Sequence, residues 1–65
     1  MNKDQAVSEI VLSIDLRERI LNFINMTDRD LDSIILFFQQ QFSMIPNEAK
    51  KLTVYCFQHM KYWRN

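Results

Sequence analysis

The chain has 65 residues, a formal net charge of zero, one cysteine and no glycine. That length allows a single domain, residues 1–65, whose thin core is marginal unless disulfides, a metal or a partner chain support it. Cys56 alone can form no internal disulfide, and without glycine there is neither a dinucleotide fingerprint nor a phosphate-cradling loop.

A hydrophobic content of 48% with 12% aromatic residues belongs to a folded domain, not a disordered one. Tight β-turns draw on glycine, so its absence favours helices joined by short polar connections. The first fifteen residues lack the uninterrupted apolar run and cleavage pattern of a signal peptide. No stretch approaches the ~20 apolar residues of a membrane span. A cytoplasmic protein with no membrane contact is the resulting expectation. The charge is unevenly spread: residues 1–33 carry −3 and residues 34–65 carry +3.

The first two helices are expected over 4–13 and 16–26; in residues 4–14, Val7, Ile10, Val11 and Ile14 follow helical spacing, and in 16–26 Leu16, Ile20, Phe23 and Ile24 do the same. The two sets lie roughly half a turn apart on a straight helix, at about 100° per residue. A continuous heptad would also place Arg17 in the apolar seam. A break between two helices avoids both problems, with Asp15 capping and Glu18 three residues on, or Ser13 capping instead. Ile10, Leu12, Ile14 and Leu16 also alternate with period two, as a strand would. A strand followed by two helices resembles the plan of ribbon–helix–helix regulators, dimers that insert paired strands into DNA. Against that plan, Glu9, Val11 and Ser13 would face the bases, and Asp28 and Asp30 the phosphates.

The third helix is expected over 28–42. Thr27 is placed to cap it, with Asp28, Asp30 and Asp32 favouring its dipole. Leu31, Ile34, Ile35, Phe38 and Phe42 form one face, while Leu36 and Phe37 fall off it. The fourth helix is expected over 46–63, opened by Pro46 and Glu48. Its stripe is Ala49, Leu52, Cys56, Met60 and Trp63, with Val54 and Phe57 off the stripe.

Cys56 and His59, spaced i, i+3, are two metal-type ligands where zinc needs at least three from the protein. As a nucleophile pair they lack an orienting group and a cleft. The three aspartates lack the glycine turn and terminal glutamate of a calcium loop. Cations with aromatics in "KYWRN" can contact nucleic acid, so Lys50, Lys51, Lys61 and Arg64 are the candidates for that role. A neutral chain is nevertheless a weak polyanion binder.

The sequence thus reads as an all-α bundle of three or four short helices, completed by homodimerisation. It reads as a non-enzymatic regulator or adaptor that needs no cofactor and works by protein–protein contact. The apolar residues off the stripes, Leu12, Leu36, Phe37, Val54 and Phe57, together with Trp63, are the expected interface. Replacing Phe37 with Ser is expected to cost association more than stability. A dimeric nucleic-acid-binding regulator, strand-led or acting through the basic C-terminal helix, is the alternative.

Overall fold

In the computed structural model, which describes residues 1–63, the helices are α1 (Lys3–Leu12), α2 (Ile14–Met26), α3 (Leu31–Phe42) and α4 (Pro46–His59). A 3-10 turn, Met60–Trp63, continues α4. No strand occurs among the described residues, so the strand drawn through residues 10–16 is not adopted.

Each helix start has a physical cause. Asn2 accepts the Gln5 amide at 2.8 Å while the Gln5 side chain accepts the Asn2 amide at 2.9 Å, a reciprocal box that opens α1. Ser13 leaves the helical region at φ −130°, ψ 110°, and its hydroxyl accepts the Leu16 amide at 3.1 Å. The break therefore falls at Ser13, not at Asp15. The Arg17 guanidinium then reaches back and donates to the carbonyls of Ile10 and Val11, at 2.8 and 2.6 Å. Both are C-terminal carbonyls of α1, and that of Ile10 also accepts the Ser13 amide at 3.3 Å.

The half-turn offset expected between the first two helices does not describe the fold. It rested on Val11 and Ile14, and both are exposed. The residues buried here are Ala6, Ile10, Ile20 and Ile24, which a straight helix would keep within about 80° of one another at 100° per residue. Length supplies the better reason for a break. A straight helix over residues 3–26 would run about 36 Å at 1.5 Å per residue, longer than the 31 Å greatest extent of the molecule. Folding it at Ser13 brings both halves to one core.

Thr27 does not cap α3. It closes α2, its hydroxyl donating to the Phe23 and Ile24 carbonyls. The Asp28 amide then returns to Asn25 and the Arg29 amide to Ile24, a Schellman closure. Asp30 is the cap of α3, accepting from the Ser33 amide at 3.3 Å. Of the three aspartates only Asp32 lies in the first turn of α3. Asp28 and Arg29, at φ 56° and 60°, and Ser43, at φ 51° beyond α3, occupy left-handed backbone. Glycine would enter that region freely, whereas other residues enter it at a cost of about 1–2 kcal/mol each.

Ala6, Ile10, Ile20, Ile24, Ile34, Phe38, Phe42, Met44, Ala49, Leu52, Cys56 and Met60 form one core cluster. Thr53 is buried beside them and donates to the Ala49 carbonyl at 2.8 Å, so its hydroxyl is satisfied. Helices α3 and α4 pack most extensively, and α1 packs on both α2 and α4. The Phe23 and Phe37 rings, stacked at 4.3 Å, join α2 to α3.

Glu48 ties the two ends of the sequence together. In the first turn of α4, its carboxylate accepts the Lys3 amide at 2.8 Å and the Lys51 ammonium at 3.2 Å. The Lys3 backbone bond, and after it the Lys51 side chain, hold this carboxyl below its ordinary value of 4.5. A lowered folded-state value contributes stability above the unfolded value and loses it as pH falls through the folded one. Urea unfolding measured from pH 6 to pH 2 should therefore show wild-type stability starting to fall below about 4.5, with a shallower decline in Glu48→Gln. Parallel curves would mean that the bond is not formed in solution.

Candidate interaction surface

The break at Ser13 shapes the surface as well as the core. α1 ends and α2 begins within two residues, so apolar side chains on either side of Ser13 cannot all turn inward. Leu12 is 87% exposed and Ile14 65% exposed, with Val11 exposed beside them. Across from this corner the 3-10 turn brings up Tyr62, exposed, and Trp63, half-buried against the core. Val11, Ile14, Arg17, Glu18, Tyr62 and Trp63 line one open concavity of about 380 Å³. Its lining is mixed, with the charged Arg17 and Glu18 beside four apolar or aromatic side chains. The Lys61 ammonium sits 5.1 Å from the centre of the Tyr62 ring. Arg17, which also lines it, is held by the carbonyls of Ile10 and Val11.

The residues expected at an interface divide into two groups. Leu12, Leu36 and Val54 are exposed. Leu36 stands two residues from both Ile34 and Phe38, so it faces directly away from the core side of α3. Val54 is related in the same way to Leu52 and Cys56 on α4. Phe37, Phe57 and Trp63 are half-buried against their own core. Phe37 stacks on Phe23 and tilts against Phe38 at 5.6 Å. Phe37→Ser would therefore remove contacts within the chain itself and cannot separate association from stability. Leu12 can. Among the expected residues, only Trp63 lines the concavity, while Leu12 stands exposed next to Val11 in the chain.

Lys50, Lys51 and Lys61 do not form one basic patch. Lys50 and Lys61 stand roughly 16 Å apart along the helix at 1.5 Å per residue, and Lys51 is paired with Glu48. Arg64 lies outside the described residues.

Cys56 is fully buried, and desolvation pushes its thiol up to about 12, so at neutral pH it is the unreactive protonated form. His59 directs Nδ1 to the Tyr55 carbonyl at 2.9 Å, which requires that nitrogen to carry the proton, and its ring stacks on Tyr55 at 4.1 Å. Among the described residues, no group of three or more His, Cys, Asp or Glu could hold a metal ion. No described helix is long and apolar enough to cross a membrane.

Val11, Ile14 and Tyr62 are the members of the corner that periodicity alone misses. The first two count toward a buried stripe when α1 is extended through residue 14. The signal that finds them is the serine at 13, because a cap there ends the stripe at Ile10. No protein-family model, curated protein or solved structure matches this chain.

Proposed function

We propose that this chain is a small non-enzymatic regulator or adaptor that acts by docking apolar helix ends on protein surfaces. The observation that carries this reading is the corner at Ser13, where Val11, Ile14 and Tyr62 leave large apolar side chains in water around an open concavity and Leu12 stands exposed next to Val11. Single exposed apolar residues are ordinary, but a contiguous group rimmed by charge marks a contact surface. The chemistry around it supports binding over catalysis: the thiol is buried and protonated, and the histidine is tied to a backbone carbonyl. Docking would bury the apolar corner while Glu18 and Lys61 set orientation.

Site-specific photo-cross-linking in cells tests this reading. A cross-linking side chain at position 12 should form covalent protein adducts, whether with another copy or with a different protein. The same group at Gln40, exposed and polar, should form none. Position 12 silent, with salt-sensitive co-purification of nucleic acid, would overturn the reading in favour of a nucleic-acid-binding regulator.

A further inference from the structure

We infer that the hollow between the α2–α3 loop and the end of α4 binds a small anion on an apolar body. The chemical class is a carboxylate or phosphate monoester carried by a ring or a short alkyl chain. This site shares no lining residue with the concavity at Ser13 and does not depend on the docking reading.

The hollow has a volume of about 250 Å³ and is lined by Arg29, Phe57, Met60 and Lys61. Pockets for drug-sized ligands run to roughly 300–1,000 Å³, so its occupant is small. Met60 is buried and Phe57 half-buried, while Arg29 and Lys61 are exposed. Both charges in the lining are positive, and no carboxylate belongs to it. Among the described residues the ion pairs are Lys3 with Asp4 and Lys51 with Glu48, so neither Arg29 nor Lys61 is neutralised by one. Asp28 and Asp30 flank Arg29 in the chain without lining the hollow, and Asp30 accepts from the amide and the hydroxyl of Ser33. The Lys61 ammonium rests over the Tyr62 ring, a contact that leaves its charge in place. Two such cations beside apolar surface suit a ligand with two ends. The charged end meets the guanidinium and the ammonium, and the apolar end covers Phe57 and Met60.

The backbone at Arg29 is an independent observation. Asp28 and Arg29 are successive left-handed residues at φ 56° and 60°, in a turn that glycine would make freely. The Arg29 amide is fixed on the Ile24 carbonyl at 3.0 Å. A side chain held on strained backbone beside a cavity is one that the cavity uses.

The test is amide-resolved NMR titration of the full chain at neutral pH and low salt. The probes are phenyl phosphate, benzoate, inorganic phosphate and benzyl alcohol. Phenyl phosphate and benzoate should shift the amides of Arg29, Phe57, Met60 and Lys61 along one saturable curve. Inorganic phosphate and benzyl alcohol, each with half of the chemistry, should bind more weakly. Arg29→Gln should weaken phenyl phosphate by about tenfold or more, the contribution of one charged hydrogen bond. Arg29→Gly should lose binding equally yet melt no lower than the wild type, because glycine relieves the turn. Binding unchanged in Arg29→Gln, or shifts as large at Lys50 and Lys51, would reduce the effect to diffuse attraction and overturn the inference. Equal binding of either half-probe, or no saturable shift, also overturns it. Each of these outcomes leaves the cross-linking result at position 12 to decide the docking reading separately.

Discussion

Phe38→Ala should leave the chain largely unfolded at 37 °C, whereas Leu12→Ala should melt with the wild type. Phe38 is the largest of the fully buried side chains. It sits in the middle of α3, with Phe37 at 5.6 Å and Phe42 at 6.1 Å between ring centres. Truncating a buried phenylalanine costs about 3–5 kcal/mol, the lost transfer energy plus the cavity left behind. A chain of this length is stabilised by about 3–10 kcal/mol in all, at 0.05–0.15 kcal/mol per residue. One substitution therefore removes a large share of what holds the fold together. At about 4–8 °C per kcal/mol, the midpoint should fall by more than about 12 °C, measured by circular dichroism at 222 nm. A drop of only a few degrees would mean that α3 does not bury this face, and the packing of α3 on α4 would have to be redrawn.

The α3–α4 half of that core is legible in the sequence. Ile34, Phe38 and Phe42 on α3, with Ala49, Leu52 and Cys56 on α4 and Met60 in the 3-10 turn, recur at helical spacing and are buried as that spacing predicts, while Leu31, expected on the same face of α3, is exposed at its first position. The outward placement of Leu36 and Val54 follows from the same geometry, since a residue two positions from two buried neighbours faces away from both. The α1–α2 half is less legible. Val11 and Ile14 share the spacing of Ile10, and no count of apolar residues reveals that the helix stops between them. What decides it is hydrogen bonding: the hydroxyl of Ser13 on an amide of α2 and the guanidinium of Arg17 on carbonyls of α1. Thr27 and Asp30 show the same limit. Both are good caps, and the choice fell to the α2 closure, which uses residues 27–29 and leaves Asp30 at the entrance of α3.

For the interaction surface, size and hydrophobicity select Phe37, Phe57 and Trp63 as readily as Leu12. Only the tertiary contacts separate them. A large aromatic residue off the main stripe of a short helix can bend back onto its own chain, as Phe37 does through the ring of Phe23. A leucine at the last position of a helix, followed by an extended serine, has nothing beside it to pack on. The corner is thus a consequence of where the helix breaks, and the break is held by polar groups.

Those polar groups should therefore control both stability and association. Arg17→Met keeps the aliphatic stem and removes the guanidinium, leaving the Ile10 and Val11 carbonyls without that donor. Hydrogen bonds from a charged donor contribute about 1.5–3 kcal/mol when well sheltered. Here Arg17 is half-buried and Val11 exposed, so water can replace part of the loss, and the expected cost is about 1–2 kcal/mol. Ser13→Ala removes the α2 cap at about 1 kcal/mol. Both side chains hold one junction, so in a double-mutant cycle their costs should fail to add by 0.5 kcal/mol or more. Strict additivity would mean that the two act on separate elements and that the break is not a single unit. Photo-cross-linking at position 12 gives an independent readout: neither residue is an apolar anchor, yet both flank the turn that sets where Val11, Leu12 and Ile14 stand. If Arg17→Met weakens association as well as stability, the guanidinium positions the docking surface through the backbone it binds. If it lowers the melting point and leaves those adducts intact, Ser13 alone is enough to aim the corner, and Arg17 serves only to close α1.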